Sequence, residues 1–448
     1  MDDTIAAIST AQGIGAISII RVSGPEAIRI VNNIFSKDIM NVLSHTIHYG
    51  FILDGTEKVD EVLVSVMKSP RTFTVEDVVE INAHGGISTT NKILELLLVN
   101  GCRLAEPGEF TKRAFLNGRI DLTEAEGIMD LINSETDAAR KMALNQVNGK
   151  VSSMISNLRN KLVSIISNIE VNIDYPEYED ITEVTVDDIN YSLGALEKDI
   201  NHILDESNNG EILKNGIKTV IIGKPNVGKS SLLNRLIGED KAIVTSVKGT
   251  TRDSVEASIS IDNIKLNLID TAGIRDTDDV VESIGVDKSL KLIDEAELIL
   301  FVLNYNEELS NDDLDILKKL KNKNYITIIN KIDLEKKIDD SNLKNVIYIS
   351  ALKDKNVDDI KLKIRELFNL EKIKTADLTY LTGARSTSIL RKILKLVKDV
   401  KDGISDNMPI DMLEMDLKNI WNLLGEIIGE NYDEELLDEL FSRFCVGK

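Results

Sequence analysis

The chain has 448 residues, enough for two to four domains with their own cores. Its 75 acidic and 53 basic residues give a formal net charge of −22, which serves solubility and excludes a surface that is basic throughout. Any nucleic-acid contact therefore requires a local basic patch or a partner. Two cysteines make no disulfide framework, no apolar run approaches the ~18 residues of a membrane span, and the acidic start is no signal peptide. We therefore expect a cytoplasmic protein without membrane contact.

The N-terminal part, up to about Asn117, mixes short alternating strands with helices. Strands are predicted at 16–22, 46–51, 61–66 and 78–82, and helices at 25–34 and 89–99. This mixture predicts an α+β domain over residues 1–118.

Helical periodicity dominates the segments on both sides of the chain's centre. Helical stretches are predicted at 123–173, 186–204, 386–400, 411–428 and 433–441. Asn208-Asn209-Gly210 is expected to close the second of them. An all-α domain made of residues 119–210 and 371–448 would then be split by an inserted α/β domain at 216–370. Two separate helical bundles are the alternative.

The central segment contains a phosphate-binding loop. Residues 223–230 read GKPNVGKS, between a predicted strand at 217–222 and a predicted helix at 231–237. In such a loop the glycines let backbone N–H groups wrap the phosphates, Lys229 reaches the β- and γ-phosphates, and Ser230 offers its hydroxyl to Mg²⁺. The flanking strand and helix make a chance match in a surface loop the weaker reading.

Three further motifs follow in order, each after a predicted strand. Asp270–Gly273 (DTAG) follows 264–269, Asn330–Asp333 (NKID) follows 325–329, and Ser350-Ala351 follows 346–349. Asp270 would hold Mg²⁺ through water, Asp333 would accept from guanine N1–H and the exocyclic amine, and the Ser350-Ala351 backbone would donate to the guanine oxygen. Because open α/β sheets bind ligands at their strand ends, the sequence predicts a GTP site. The predicted nucleotide-binding residues are Asn226, Val227, Gly228, Lys229, Ser230, Ser231, Thr245, Ser246, Val247, Lys248, Gly249, Thr250, Thr251, Asp270, Thr271, Ala272, Gly273, Asn330, Lys331, Asp333, Ser350, Ala351 and Leu352.

Hydrolysis cannot use the glutamine that follows this aspartate motif in small switch GTPases, because Ile274 stands there. An acidic segment follows, including Glu282, and could polarise water or could be a solvated loop. Upstream, Thr251 would bind Mg²⁺ and sense the γ-phosphate. Arg252 could act as an arginine finger, although a structural ion pair is the commoner role.

The motifs together resemble the MnmE (TrmE) family of tRNA-modification GTPases. They are GKPNVGKSS (223–231), GTTRD (249–253), DTAGIR (270–275), VESIG (281–285), IRVSG (20–24), NAHGG (82–86), RAFLNG (113–118) and the C-terminal FCVGK (444–448). The GTPase motifs are shared with ribosome-assembly GTPases, whereas the terminal CVGK is more specific, and the resemblance covers the whole chain.

The resemblance implies potassium-activated hydrolysis within a homodimer. Asn226 would give K⁺ a side-chain oxygen, and oxygens of Thr245, Val247 and Thr250 would complete the shell. K⁺ would neutralise charge that develops on the phosphates, where an arginine finger otherwise acts. Glu282 would act on the attacking water through a second water.

The resemblance also implies one-carbon chemistry on tRNA. The N-terminal domain would resemble a tetrahydrofolate-binding domain, and Arg21, Glu80, Arg119 and Lys448 would contact 5-formyl- or 5,10-methylene-tetrahydrofolate. Cys445 would act in this site, as a nucleophile or as part of its lining. With an FAD- and NADH-dependent MnmG-type partner, in a heterotetramer, the chain would add a carboxymethylaminomethyl or aminomethyl group to C5 of the wobble uridine in tRNA.

Two other classes of function compete with this interpretation. A ribosome-assembly GTPase would bind RNA without modifying it, but the acidity and the terminal CVGK count against it. A regulatory switch that awaits an external activating protein is suggested by Ile274. Binding of tetrahydrofolate would exclude the ribosome-assembly GTPase, and GTP turnover that potassium stimulates would exclude the regulatory switch.

Overall fold

The computed structural model describes residues 3–11, 13–174, 185–239, 255–261, 264–269, 292–368, 370, 378–432 and 434–448. The chain forms two compact units. The first comprises Met1–Met129, Gln146–Ser192 and Lys395–Lys448, and the second Asp130–Asn145 and Leu193–Leu394.

The described strands belong to two sheets of six strands each. The strands are β1 (Ile5–Ile8), β2 (Ile17–Ser23), β3 (Thr46–Asp54), β4 (Glu57–Met67), β5 (Val78–His84), β6 (Arg103–Leu104), β7 (Ile217–Ile222), β8 (Val255–Ile261), β9 (Ile264–Ile269), β10 (Leu298–Asn304), β11 (Tyr325–Asn330) and β12 (Val346–Tyr348).

Helices precede and follow the second sheet in the chain. The described helices are α1 (Ala27–Ile34), α2 (Ile87–Val99), α3 (Glu109–Leu116), α4 (Leu122–Asn133), α5 (Asp137–Val147), α6 (Lys150–Asp174), α7 (Val186–Asn215), α8 (Lys229–Glu239), α9 (Asn311–Leu320), α10 (Asp358–Leu367), α11 (Ala384–Ser405), α12 (Ile410–Ile428) and α13 (Glu434–Ser442). Among the described residues, no helix has both the length and the apolar character needed to cross a membrane.

The first sheet has the order β3-β4-β5-β2-β1-β6, with antiparallel pairs except for the parallel pair β1 and β6. Because side chains alternate between the faces of a strand, β1 directs Ala6 into one cluster, and Ile5 and Ala7 into another. The register pairs Arg21 with Ala7 on one side and with Glu80 on the other. Arg21 and Glu80 therefore share the face on which Phe110 of α3 packs with Ile5 and Ala7.

The helical part of the first unit includes α6 and α12, which pack along each other. The Arg159 guanidinium of α6 lies 4.0 Å from the centre of the Trp421 ring of α12. A buried cation over an indole face is a favourable arrangement, so the pair contributes to this helix contact.

The second sheet has the order β12-β11-β10-β7-β9-β8 and is parallel except for its edge strand β8. Every residue of β10 is buried, and alternate side chains enter two clusters, with Leu300 in one and Phe301 in the other. Such burial on both faces is typical of a parallel sheet that helices cover on each side. The carboxyl ends of β7, β10, β11 and β12 consequently meet at one edge.

Most predicted elements are confirmed to within a few residues, and the strands at 217–222 and 264–269 have the bounds that the sequence predicted. The predicted stretch at 123–173 divides into α4, α5 and α6. The predicted end of the second helical stretch was wrong, because α7 continues through Asn208-Asn209-Gly210 to Asn215. A Cβ at Gly210 would lie 2.8 Å from the Tyr380 side chain, so close packing explains this glycine.

Candidate functional site

The phosphate loop follows β7 at the carboxyl edge of the second sheet and leads into α8. Lys229, the first residue of α8, donates from Nζ to the carbonyl oxygens of Gly223 at 2.8 Å and Lys224 at 2.7 Å. These bonds hold the ammonium over the loop. Phosphate oxygens would offer it charged acceptors in place of neutral carbonyls, and charge-assisted hydrogen bonds are the stronger kind.

Asn330, at the end of β11, joins the phosphate loop to the loop that follows β12. Its buried amide donates from Nδ2 to the Val227 carbonyl at 2.9 Å and accepts from the Ala351 amide N–H at 3.0 Å. Gly228 has a φ of 98°, and a Cβ there would lie 2.2 Å from Asn330 Nδ2, so this close approach requires glycine. The structure thus gives Asn330 a positioning role.

Lys331 adds a second link between these loops, because its Nζ donates to the Asn226 carbonyl at 2.6 Å. Asn226 itself has a φ of 60°, in the left-handed region, and its side chain is exposed. Among the described residues, the side-chain amide of Asn226 has no hydrogen-bond partner, which leaves its oxygen available as a ligand. Ser230 and Ser231 occupy the first turn of α8.

The predicted base-recognition residues lie side by side. The Ser350 hydroxyl donates to Asp333 Oδ1 at 2.6 Å, and this bond holds the pKa of the Asp333 carboxyl below its usual range. Asp333 is exposed and is therefore charged and accessible at neutral pH. The neighbouring Leu352 side chain is also exposed, whereas Ser350 and Ala351 are buried. Asp333 thus offers a charged acceptor that suits the guanine edge. The backbone N–H groups of Ser350 and Ala351, which were expected to donate to the guanine oxygen, instead donate to the Lys355 carbonyl and to Asn330 Oδ1.

Many predicted site residues lie outside the described residues. These are Thr245, Ser246, Val247, Lys248, Gly249, Thr250, Thr251, Asp270, Thr271, Ala272, Gly273 and Glu282, together with Ile274 and Arg252. Their assignments to GTP, Mg²⁺, K⁺ and the attacking water stay predictions.

The second candidate site is formed where the C-terminal tail lies against the first sheet. Arg21 donates to Glu80 Oε1 from Nε at 2.9 Å and to the Gly447 carbonyl from Nη1 at 3.2 Å. The Ser9 hydroxyl donates to the same carbonyl at 3.0 Å. Gly447 has a φ of 89°, and a Cβ there would lie 2.7 Å from the Ile8 carbonyl oxygen, so only glycine lets the tail come this close.

Electrostatics in this second site centre on Lys448. Burial, reinforced by the positive charge of Arg21, lowers the pKa of the Lys448 ammonium, and Cys445 and Glu80 partly offset this effect. Cys445 is exposed, and its carbonyl accepts from the Gly108 N–H at 3.2 Å. The structure therefore brings Arg21, Glu80, Cys445 and Lys448 together.

Arg119 is held separately from these four residues. Its guanidinium bonds to the Thr72 carbonyl and lies 5.3 Å from the centre of the Phe73 ring. Phe73 packs on the cluster that contains Phe110. The Arg21 guanidinium lies 5.7 Å from the centre of the Phe110 ring. The two arginines thus stand on two rings of one cluster. Sequence reasoning missed Ser9 and Phe110, although Phe110 lies just before the RAFLNG motif.

The two cysteines have opposite surroundings. Burial raises the pKa of the Cys102 thiol to about 12, so it stays protonated near neutral pH. Cys445 is exposed at the tail. Because the thiolate is the reactive form, Cys102 is a packing residue.

The parallel sheet, the phosphate loop at its carboxyl edge, and the neighbouring Asp333 and Ser350 define the class of protein: a P-loop GTPase. The family described as MnmE helical domain matches residues 122–445, and the family described as GTP-binding protein TrmE N-terminus matches residues 4–119.

Relatives extend this similarity over the whole length. The chain is 50% identical to the tRNA modification GTPase MnmE of Bacillus subtilis, with 100% of both chains covered. It is 48% identical to the protein of that name from Staphylococcus aureus (strain MSSA476), over 100% of this chain and 99% of the relative. The G domain of the T. maritima FeoB iron transporter is 29% identical over 34% of this chain and 98% of its own, with a TM-score of 0.25. The chain belongs to the MnmE family of tRNA modification GTPases.

Proposed function

We propose that this chain is a potassium-activated GTPase that takes part in modifying the wobble uridine of tRNA. With an FAD- and NADH-dependent MnmG-type partner, it would add a carboxymethylaminomethyl or aminomethyl group to C5, using a tetrahydrofolate one-carbon donor. Full-length similarity to proteins named tRNA modification GTPase supports this role. The observation that carries the proposal is the hydrogen bond from Arg21, itself paired with Glu80, to the Gly447 carbonyl of the C-terminal tail, in a chain that also carries the GKPNVGKS and NKID motifs.

GTP is the proposed substrate of the second unit. The backbone of residues 226–231 and the Lys229 ammonium would bind its phosphates, because such loops point several N–H groups at one anion. Asp333 would accept from guanine, and the exposed Leu352 would cover the base. Asn330 and Lys331 would keep these two ends of the site at a fixed separation through their bonds to the phosphate loop.

Two cations are proposed at the phosphates. Ser230 has the hydroxyl that Mg²⁺ binding requires, with Thr251 and a water-mediated contact to Asp270 as further expectations. Asn226 fits K⁺, because its side-chain oxygen is exposed and unpartnered among the described residues. Thr245, Val247 and Thr250 would supply the other oxygens. K⁺ would contribute positive charge where phosphoryl transfer develops negative charge, and Glu282 would orient water.

We propose that a folate binds where the C-terminal tail lies against the first sheet. Glu80 uses Oε1 for Arg21, whereas its Oε2 has no hydrogen-bond partner among the described residues and can accept from the amino-pyrimidine of a pterin. Arg21, Arg119 and Lys448 would bind carboxylate and carbonyl oxygens, and the rings of Phe110 and Phe73 beneath the two arginines would shield one side of the site from water. Cys445 would act in this site, as a nucleophile or as part of its lining. A bound tetrahydrofolate supplies the one-carbon unit.

Further parts of the proposal concern organisation. We propose the domains 1–118, 119–210, 216–370 and 371–448, a homodimer, an assembly with the MnmG-type partner on tRNA, and a cytoplasmic location. The net charge of −22 supports sharing the tRNA contact with a partner, because an acidic surface alone repels the phosphate backbone.

Binding of 5-formyl-tetrahydrofolate tests the one-carbon role and separates it from ribosome assembly, which needs no folate. Arg21→Ala and Glu80→Gln should each weaken binding roughly 10- to 100-fold, since a hydrogen bond to a charged group contributes about 1.5–3 kcal/mol. The exposed pair Arg29 and Glu26 of the same domain gives matched controls, Arg29→Ala and Glu26→Gln. No binding by the unmodified chain, or equal losses in the controls, would contradict the folate site.

Replacement of KCl by NaCl at equal ionic strength tests the potassium role. GTP hydrolysis should slow sharply in NaCl, and Asn226→Ala should remove most of the difference between the salts. Equal rates in the two salts would contradict potassium activation while leaving GTP binding unaffected.

A further inference from the structure

The second residue of the phosphate loop is held by a buried carboxylate from a neighbouring helix. Lys224 Nζ lies 2.6 Å from Asp313 Oδ2. The Asp313 side chain is 3% exposed and that of Lys224 is 27% exposed, so this ion pair is largely shielded from water. Screening is weak at such a place, and the pairing depends on accurate placement of both partners.

Asp313 is held by its own helix as well as by Lys224. It is the third residue of α9 and forms a capping box with Ser310, whose backbone N–H and hydroxyl donate to Asp313 Oδ2 at 2.9 and 3.0 Å. The carboxylate also lies at the positive end of the helix dipole. Asp313 is therefore held within its own helix cap, and its ion pair fixes where the Lys224 ammonium lies.

The backbone of Lys224 belongs to the phosphate loop itself. Its carbonyl accepts from Lys229 Nζ at 2.7 Å. The middle of the loop is held by other residues, because Lys331 donates to the Asn226 carbonyl and Asn330 donates to the Val227 carbonyl. Lys224 thus secures the start of the loop, which carries a carbonyl acceptor for the Lys229 ammonium.

We propose that Lys224 and Asp313 form a clamp that holds the phosphate loop in its nucleotide-binding shape, with Lys224 as a positioning residue for binding the phosphates. This inference rests on the proposed binding of GTP at the loop. The clamp acts on the phosphate end of the site and lies apart from Asp333 and Ser350. Loss of the clamp should weaken the binding of both GDP and GTP without changing the preference for guanine over adenine nucleotides.

The test measures the Kd of a fluorescent N-methylanthraniloyl GDP for the full chain. Lys224→Met keeps most of the aliphatic stem and removes the charge, and we expect a Kd about tenfold higher, equal to about 1.4 kcal/mol. Lys224→Arg, which can still pair with the carboxylate, should stay within about threefold of the unmodified chain. Asp313→Asn should have a smaller effect than Lys224→Met, because Glu307 and Glu308 line the same cleft as Lys224.

Lys318→Met is the matched control. Lys318 is on the same helix and pairs with Asp315 at 2.7 Å, but the two side chains are 71% and 63% exposed. A double variant, Lys224→Met with Asp313→Asn, should bind no more weakly than Lys224→Met alone, because coupled partners are not additive.

A Kd for Lys224→Met within twofold of that for Lys318→Met would overturn the clamp. So would a tenfold loss that Lys224→Arg fails to restore, or a loss that changes the ratio of GDP to ADP affinity. If the unmodified chain binds no GDP, the proposed GTP site fails, and this outcome is separate from a failure of the clamp alone.

Discussion

Removal of the Asn330 side chain should loosen both loops of the nucleotide site at once. Asn330 is 2% exposed, and its amide satisfies the Val227 carbonyl at 2.9 Å and the Ala351 N–H at 3.0 Å. Val227 and Ala351 are 2% and 3% exposed, so Asn330→Ala leaves two shielded backbone groups without partners. Each such group costs about 1–3 kcal/mol, which gives about 2–6 kcal/mol for the local structure.

Amide hydrogen exchange of the full chain measures this local cost directly. Protection of the Ala351 N–H and of the phosphate loop should fall by the factor that corresponds to about 2–6 kcal/mol, roughly 30-fold or more. Asn306→Ala is the matched control, because Asn306 Nδ2 makes one exposed bond to the Glu335 carbonyl at 2.7 Å. Exchange in Asn330→Ala that matches the control, with a loss below about 1 kcal/mol, would refute the reasoning.

Three further predictions concern base recognition by Asp333, the reactivity of the two cysteines, and the protonation of His84. Asp333→Asn should weaken GTP binding roughly 10- to 100-fold and improve XTP binding, because the amide can donate to the C2 oxygen of xanthine. Titration of both nucleotides checks this, and an unchanged preference for GTP over XTP would contradict the role of Asp333 in base recognition. Iodoacetamide at pH 7.5 should label Cys445 and spare Cys102, as peptide mass analysis would show, since Cys102 is buried with a raised pKa. The hydrogen bond to Asp60 raises the pKa of His84, so the pair's contribution to stability is full below the unfolded-state pKa of ~6.5 and is lost as pH rises through the folded-state pKa. An NMR titration should find a lower His84 pKa in Asp60→Asn, and no change would exclude the pairing.

The sequence predicted those parts of the fold and site that depend on local pattern. Strand 217–222, the phosphate loop and the following helix are adjacent in the chain, so a short motif with its flanking periodicity was sufficient. The link from Asn330 to Val227 crosses 103 positions. The motif therefore indicated a nucleotide residue, and only the structure showed what Asn330 holds in place.

Tertiary contacts explain the places where local pattern misled or was insufficient. Asn208-Asn209-Gly210 contains weak helix formers, yet α7 continues through it because Leu213 is buried and Gly210 fits against Tyr380. Strand β10 is buried at every position and shows no polar alternation that would mark it as a strand. The Gly447 carbonyl meets Arg21 across 426 positions, a contact that no spacing rule could supply.

The central claim is that GTP turnover by this chain supports modification of the wobble uridine. Mass analysis of tRNA nucleosides from cells that lack its gene, complemented with the unmodified chain or with Lys229→Ala, tests it most directly. The account predicts that the C5-modified wobble nucleoside disappears on deletion, returns with the unmodified chain and stays absent with Lys229→Ala. Unchanged wobble nucleosides after deletion, or full restoration by Lys229→Ala, would contradict it.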